Sequence, residues 1–115
     1  MLENQPLIQP SPMSDRLEQL TKMHKADPLD PFCTYGIALE HGKAGEVEHA
    51  IEWLNKTLEL DKHYHYAFFQ KAKMFSELGD DHAARAVLRE GITIASTTDD
   101  EKACREMQEL LESLG

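Results

Sequence analysis

Basic residues are scarce in this chain of 115 residues. Twelve Lys and Arg stand against 21 Asp and Glu, so the formal net charge at pH 7 is −9. Nucleic-acid binding needs clustered Lys and Arg to neutralise phosphates, and an anionic membrane surface attracts the same residues. We therefore expect neither nucleic acid nor a membrane among its partners.

Cysteine and long apolar runs are also scarce. Cys33 and Cys104 are too few for a framework of several disulfides, and we expect two free, mostly buried thiols. No apolar run approaches the roughly 20 residues of a membrane span. Residues 1–12 have neither the basic start nor the apolar stretch of a signal peptide. These features predict a cytoplasmic protein.

The composition that remains is that of a globular chain. It is 41% hydrophobic and 29% charged, with only 6 Gly and 5 Pro, and its length predicts one domain. Three of the prolines fall within the first twelve residues, which show no hydrophobic periodicity. We expect residues 1–13 to be a disordered N-terminal tail and residues 14–115 to form the single domain.

From residue 14 onward the apolar residues recur at helical spacing, and no segment alternates as a strand would. Start and stop signals divide this region into six helices. Ser14 and Asp30 are predicted N-caps, with Pro31 at a first helical position. Residues 98–101 read Thr-Asp-Asp-Glu, which predicts a capping box opening the last helix. The sequence therefore predicts an all-α fold.

An internal repeat organises these helices. Residues 14–115 contain three units of 34, and sliding the chain by 34 superimposes similar residues. The matched structural positions are Ala38 with Ala72, Gly45 with Gly79, Ala50 with Ala84, and Leu54 with Leu88. A helical pair of this size cannot bury its own apolar face, so neighbouring pairs must stack.

The repeat resembles the tetratricopeptide repeat (TPR) family, whose unit reads W-x2-L-G-x2-Y, then A-x3-F, then P. Small residues at the matched alanines let paired helices cross closely, whereas Thr34 and His41 stand where the motif has aromatics. The resemblance implies a right-handed α-solenoid of antiparallel helix pairs. Its parts are a terminal helix at 14–27, full repeats at 31–64 and 65–98, and a closing helix at 98–114.

In the TPR family the first helix of each pair lines a concave groove that binds a peptide. The resemblance assigns to this groove Phe32, Tyr35, Leu39, Lys43, Tyr66, Phe69, Gln70, Lys73 and Glu77. Phe32 and Tyr35 are one helical turn apart, as are their counterparts in the second repeat, so we expect a ladder of four rings. Phe32 and Phe69 could instead pack between helices, and the sequence leaves this open.

Some TPR proteins bind acidic chain ends of chaperones through a clamp of Lys, Asn and Arg. Here only Lys73 offers a cation near the right place, and Tyr35 and Phe69 stand where polar residues would be needed. The sequence therefore favours a partner with apolar anchors and some basic residues, in keeping with the negative charge.

No pattern of catalytic or metal-binding residues stands out. His63 and His65 are two residues apart at a helix start, a step that does not place side chains on one face. Paired acids precede helices and are explained as caps. We therefore expect no enzyme activity, no cofactor and no metal site.

The sequence predicts a non-catalytic adaptor that binds a partner protein. An alternative is a structural protein that self-associates weakly through the groove or the C-terminal helix. A more remote alternative is an enzyme or a ligand-sensing domain.

Overall fold

The computed structural model describes residues 14–115, so the predicted N-terminal tail lies outside the described residues. These residues form six helices and no strand, which confirms the predicted all-α TPR-like fold. The helices are α1 (Asp15–Ala26), α2 (Pro31–Lys43), α3 (Val47–Leu60), α4 (His65–Glu77), α5 (Asp81–Ser96) and α6 (Glu101–Ser113).

The helices stack in chain order. Each packs on the next, and α4 also meets α6. The stack is elongated, with extents of 59, 34 and 18 Å, as expected when units contact only their neighbours. Among the helices of residues 14–115, none has the length and apolar character needed to cross a membrane.

The predicted caps of the first two helices are confirmed. The Ser14 hydroxyl accepts a hydrogen bond from the Leu17 N–H at 3.0 Å, and the Asp30 carboxylate accepts one from the Phe32 N–H at 2.9 Å. Pro31 begins α2, where its missing N–H removes no helical hydrogen bond.

The turns inside the two helical pairs have the same backbone. Gly45 and Gly79 have φ of 80° and 82°, a left-handed conformation that glycine adopts without a Cβ penalty. In the first turn the Glu46 N–H donates to the His41 carbonyl at 2.9 Å. In the second turn, 34 residues later, the Asp80 N–H donates to the Phe75 carbonyl, also at 2.9 Å. The sequence repeat is therefore also a repeat of hydrogen bonding.

The predicted capping box at residues 98–101 is wrong. Asp100 is the N-cap of α6 and accepts from the Ala103 N–H at 3.1 Å, whereas the Thr98 hydroxyl donates back to the Ala95 carbonyl. Asp99 turns the chain with φ of 59°. The closing helix thus begins at residue 101. This start lies 36 residues after the start of α4, whereas an exact repeat would place it 34 residues after.

Small residues lie where the helices meet. Ala38, Ala50, Ala72 and Ala84 are all fully buried, as are Leu54 and Leu88. A Cβ built on Gly42 would lie 2.6 Å from the Met74 Cε of α4 and in van der Waals contact, at 4.0 Å, with the Ala50 Cβ of α3. In α5, a Cβ on Gly91 would lie 2.7 Å from both the Phe68 Cβ and the Met107 Sδ. These contacts leave little room for a larger side chain.

Two buried hydroxyls are paired across α2 and α3. The hydroxyls of Thr34 and Thr57 lie 2.7 Å apart, and Thr57 also donates to the Trp53 carbonyl. This pair explains why Thr34 replaces an aromatic of the TPR motif. A hydroxyl in the core costs free energy unless it is hydrogen-bonded, and here both are.

The terminal helix α1 is attached to α2 through one buried apolar side chain and through polar contacts with Glu40. Its only buried residue is Leu20, which packs against the Cβ-less backbone of Gly36. The buried Glu40 carboxylate accepts from Ser14 at 3.1 Å and lies 3.5 Å from the Arg16 guanidinium. Glu40 therefore anchors the first turn of α1.

At the other end, α6 is tied to the start of α4. His65 is buried, and its Nδ1 lies 2.9 Å from Asp100 Oδ2 while its Nε2 lies 3.2 Å from the Thr98 hydroxyl. The hydrogen bond from His65, followed by that from the Ala103 N–H, lowers the pKa of Asp100. The tyrosine that follows His65, Tyr66, donates from its hydroxyl to Glu106 Oε1 at 2.7 Å.

We predict that Ala50→Leu or Ala84→Leu lowers the free energy of unfolding by roughly 1–3 kcal/mol, because the added methyl groups overpack a closed crossing. Urea denaturation followed by circular dichroism measures the change. Ala86→Leu, at an exposed position of α5, is the control and should leave the midpoint nearly unchanged. Equal midpoints for all variants would contradict the assigned packing.

We also predict that Asp100→Asn makes stability less sensitive to acid. Because the pKa of Asp100 is lowered in the folded state, its contribution is present above the ordinary Asp value of about 3.9 and is lost as pH falls through the lowered value. Asparagine still caps the helix but cannot ionise. Thermal melts across the acid range should show a shallower decline for Asp100→Asn than for the parent or for Asp99→Asn.

Candidate functional site

The aromatic face is the surface formed by Phe32 and Tyr35 of α2, Tyr66 and Phe69 of α4, and Tyr64, the N-cap residue of α4. Because α2 and α4 begin 34 residues apart and open equivalent pairs, their matched residues lie on the same side of the stack. The fold therefore gathers four of the predicted groove residues, together with a tyrosine that the sequence analysis did not select.

The rings form two pairs rather than the expected ladder of four. The Tyr35 ring lies 4.8 Å from the Tyr64 ring with a tilt of 38°, and the Tyr66 ring lies 6.4 Å from Phe69 in an edge-to-face arrangement. Phe32 belongs to neither of these two pairs. Tyr64 precedes α4 and fills the space beside Tyr35 that the ladder would have given to Phe69.

The rings differ in exposure. Phe32 is 49% exposed and Tyr66 36% exposed, whereas Tyr35 and Phe69 are half-buried. Phe69 also packs against the core of the second pair, around Ala72 and Leu88. The alternative of packing between helices thus applies in part to Phe69 and does not apply to Phe32.

Polar side chains border these rings. Burial raises the pKa of Tyr35, and a hydrogen bond with the Gln70 side chain partly offsets that rise. The Lys73 ammonium lies 5.8 Å from the centre of the Phe69 ring, within the range of a cation–π interaction. Gln70 and Lys73 therefore lie beside aromatic rings.

The remaining predicted groove residues lie along α2 and at the end of α4. Leu39 is half-buried and Glu77 is exposed. The Lys43 ammonium donates to Glu40 Oε2 at 3.1 Å. Burial on its own would raise the pKa of Glu40, but hydrogen bonds from Lys43 and Ser14 outweigh it and lower the pKa. Lys43 is thus already paired within α2 with a carboxylate three residues before it.

Glu106 of α6 joins this surface through the Tyr66 hydroxyl, and that hydrogen bond is the main cause that raises the pKa of Tyr66. Glu106 is not among the groove residues predicted from the sequence. Nothing in the sequence marks it, because its position depends on where α6 begins and how α6 packs on α4.

Of the histidines and cysteines considered above, His65 and Cys33 are buried, Cys104 is half-buried and His63 is exposed. The rings of His63 and His65 lie 6.4 Å apart at right angles, and both nitrogens of His65 already have partners in Asp100 and Thr98. Both cysteines are free, as predicted. Burial raises the pKa of the Cys33 thiol, which disfavours the reactive thiolate.

Known proteins resemble this chain in sequence and in fold. The family model for anaphase-promoting complex subunit 5 matches residues 38–114. An uncharacterised protein of Methanocaldococcus jannaschii is 35% identical over 75 residues, covering 59% of this chain and 87% of that protein.

Two solved structures extend the comparison of the fold. The TPR2B domain of yeast Sti1, in complex with pHsp70, has a TM-score of 0.80 at 22% identity and covers 85% of this chain and 78% of that chain. PcrH, in complex with the chaperone binding region of PopD, has a TM-score of 0.78 at 17% identity, with 85% and 74% covered. The chain therefore belongs to the family that the subunit 5 model describes, and its fold is that of tetratricopeptide-repeat domains.

Proposed function

We propose that this chain is a non-catalytic interaction module that binds a peptide segment of another protein on its aromatic face. The observation that carries the proposal is the exposure of Phe32 and Tyr66 on the first helices of two successive pairs. Large aromatic side chains dominate binding energies where a partner buries them. Two such rings on one side of a rigid stack offer a surface on which a peptide can gain affinity.

The relatives in fold support this proposal. The Sti1 domain was solved in complex with pHsp70, and PcrH in complex with the chaperone binding region of PopD. The likeness is one of architecture, so the ligands of those proteins are not transferred to this chain. What is carried over is a stack of helical pairs whose first helices can receive a peptide.

The charges on and near the aromatic face favour a partner with apolar anchors and basic residues. Lys43 is paired with the buried Glu40, and Lys73 lies over the Phe69 ring. Two carboxylates, those of Glu77 and Glu106, add negative charge to a chain whose net charge is −9. An acidic ligand would meet repulsion here, whereas a basic segment would be attracted.

The absence of catalysis is part of the proposal. The acids at the helix starts have structural roles, since Asp30, Asp80 and Asp100 each accept a hydrogen bond from a backbone N–H as N-caps. The Cys33 thiol is buried and its pKa is raised. Neither group is arranged for general acid–base or nucleophilic chemistry.

Self-association is the second candidate, and one feature favours it. A cleft of about 320 Å³ opens at the end of the stack between α5 and α6, next to the half-buried Cys104. A further helical pair would stack at this end, and a second copy of the chain could take its place.

The peptide proposal predicts that Phe32→Ala and Tyr66→Ala each weaken binding by about 2 kcal/mol, roughly 30-fold. The ligands are peptides selected from a displayed random library on the immobilised chain, and fluorescence anisotropy measures their affinity. The selected sequences should combine apolar anchors with basic residues. The Tyr66→Phe variant keeps the ring and should keep most of the affinity.

The matched control removes similarly exposed side chains from α1 and α3, neither of which is the first helix of a pair. Met23 on α1 is 45% exposed and Leu60 on α3 is 36% exposed. Met23→Ala with Leu60→Ala should bind the selected peptides as the parent does. Binding that survives the loss of both aromatic rings, or that falls as much in the control, would place the site elsewhere.

Light scattering over a concentration series separates the two candidates. We predict a mass of 13.1 kDa, that of one chain, at every concentration. A mass that rises to twice this value and returns to it in Phe32→Ala would show that the aromatic face binds a second copy instead.

A further inference from the structure

Two histidines and a glutamate meet at the turn between α2 and α3, outside the aromatic face. His41 Nδ1 lies 2.7 Å from Glu46 Oε1, and the rings of His41 and His49 lie 5.5 Å apart at 73°. One nitrogen of each imidazole and one oxygen of the carboxylate lie within 4.8 Å of one another. The turn thus brings three metal-ligating groups to one point.

The backbone of this turn forms without these three side chains, as the second helical pair shows. In the second pair the equivalent positions are Phe75, Asp80 and Ala83, and both turns have the same backbone hydrogen bond and a glycine with positive φ. The two carboxylates nevertheless behave differently. Asp80 caps α5 by accepting from the Ala83 N–H at 3.0 Å, whereas Glu46 makes no side-chain cap and reaches back to His41 instead.

We propose that His41, Glu46 and His49 form a binding site for a divalent transition-metal ion, with Zn²⁺ as the best match. Two imidazole nitrogens and one carboxylate oxygen are common zinc ligands, whereas Mg²⁺ and Ca²⁺ prefer oxygen alone. Three protein ligands leave a fourth, tetrahedral position for water or for a group from a partner.

The distances require only a small adjustment. With metal–ligand bonds of about 2.0–2.1 Å, tetrahedral ligand atoms lie about 3.4 Å apart. The three ligand atoms now lie up to 4.8 Å apart, so the largest separation must shorten by little more than an ångström. The His41 side chain is 17% exposed and stays in place, while that of Glu46 is 53% exposed and can rotate. His49 is exposed on the first turn of α3.

Charge around the site favours a cation. Glu48 and Glu52 are exposed on α3 beside His49, and the net charge of the chain is −9. The nearby ammonium of Lys43 is bonded to Glu40. A bound ion would join the last turn of α2 to the first turn of α3 and stabilise the folded chain by mass action.

Titration of the full chain with Zn²⁺ at neutral pH, followed by calorimetry, tests the site. We expect one equivalent to bind the parent chain and to raise its melting temperature. Loss of an outer-shell partner already weakens metal binding by about 10–100-fold, so His49→Gln and Glu46→Gln should weaken it by at least as much. Both side chains are exposed, and circular dichroism should show the helix content of the parent.

His63→Gln and His82→Gln are the matched controls, because each removes an exposed imidazole outside the turn. Both should bind Zn²⁺ as the parent does. Imidazole resonances assigned to His41 and His49 should shift with the first equivalent. No binding by the parent, binding unchanged in His49→Gln, or binding lost equally in a control would overturn the site.

Discussion

The close approach of paired helices at alanine is the constraint on which the rest of this structure depends. Ala50 lies against the backbone of α2, and its counterpart Ala84 is equally inaccessible in the second pair. Contact at this distance fixes how each helix is rotated about its axis. That rotation directs Phe32 and Tyr66 outward and turns Phe68 into the core, so the exposed rings are a consequence of the buried alanines.

Most of the fold could be predicted because its signals are local and periodic. Helical spacing, the Asp30 and Pro31 start, and the glycines at 45 and 79 each act over a few residues. The start of α6 could not be predicted in the same way. Thr98 and Asp100 both have side chains that can cap a helix, and contacts with His65 from another helix accompany the choice of Asp100.

The site was predictable only as far as helical spacing reaches. Spacing placed Phe32 and Tyr35 on one side of α2, but it could not show that Tyr64 would fill the gap beside Tyr35. The group formed by His41, Glu46 and His49 depends on a chain reversal and on the direction of one carboxylate. Thr34 departs from the family motif, and its partner Thr57 is 23 residues away in the chain.

The attachment of α1 by Leu20 and Glu40 makes the two ends of the stack unequal. One buried apolar side chain and the edge-to-face contact of His24 with Trp53 give modest stabilisation, so the polar contacts of Glu40 with Ser14 and Arg16 add to the docking of α1. In an array held together by nearest-neighbour contacts, melting starts at the weakest end. Ionic strength screens the half-exposed Arg16 at that end, so salt would release α1 first and uncover Leu20 and the backbone of Gly36 while the pairs behind it remain folded.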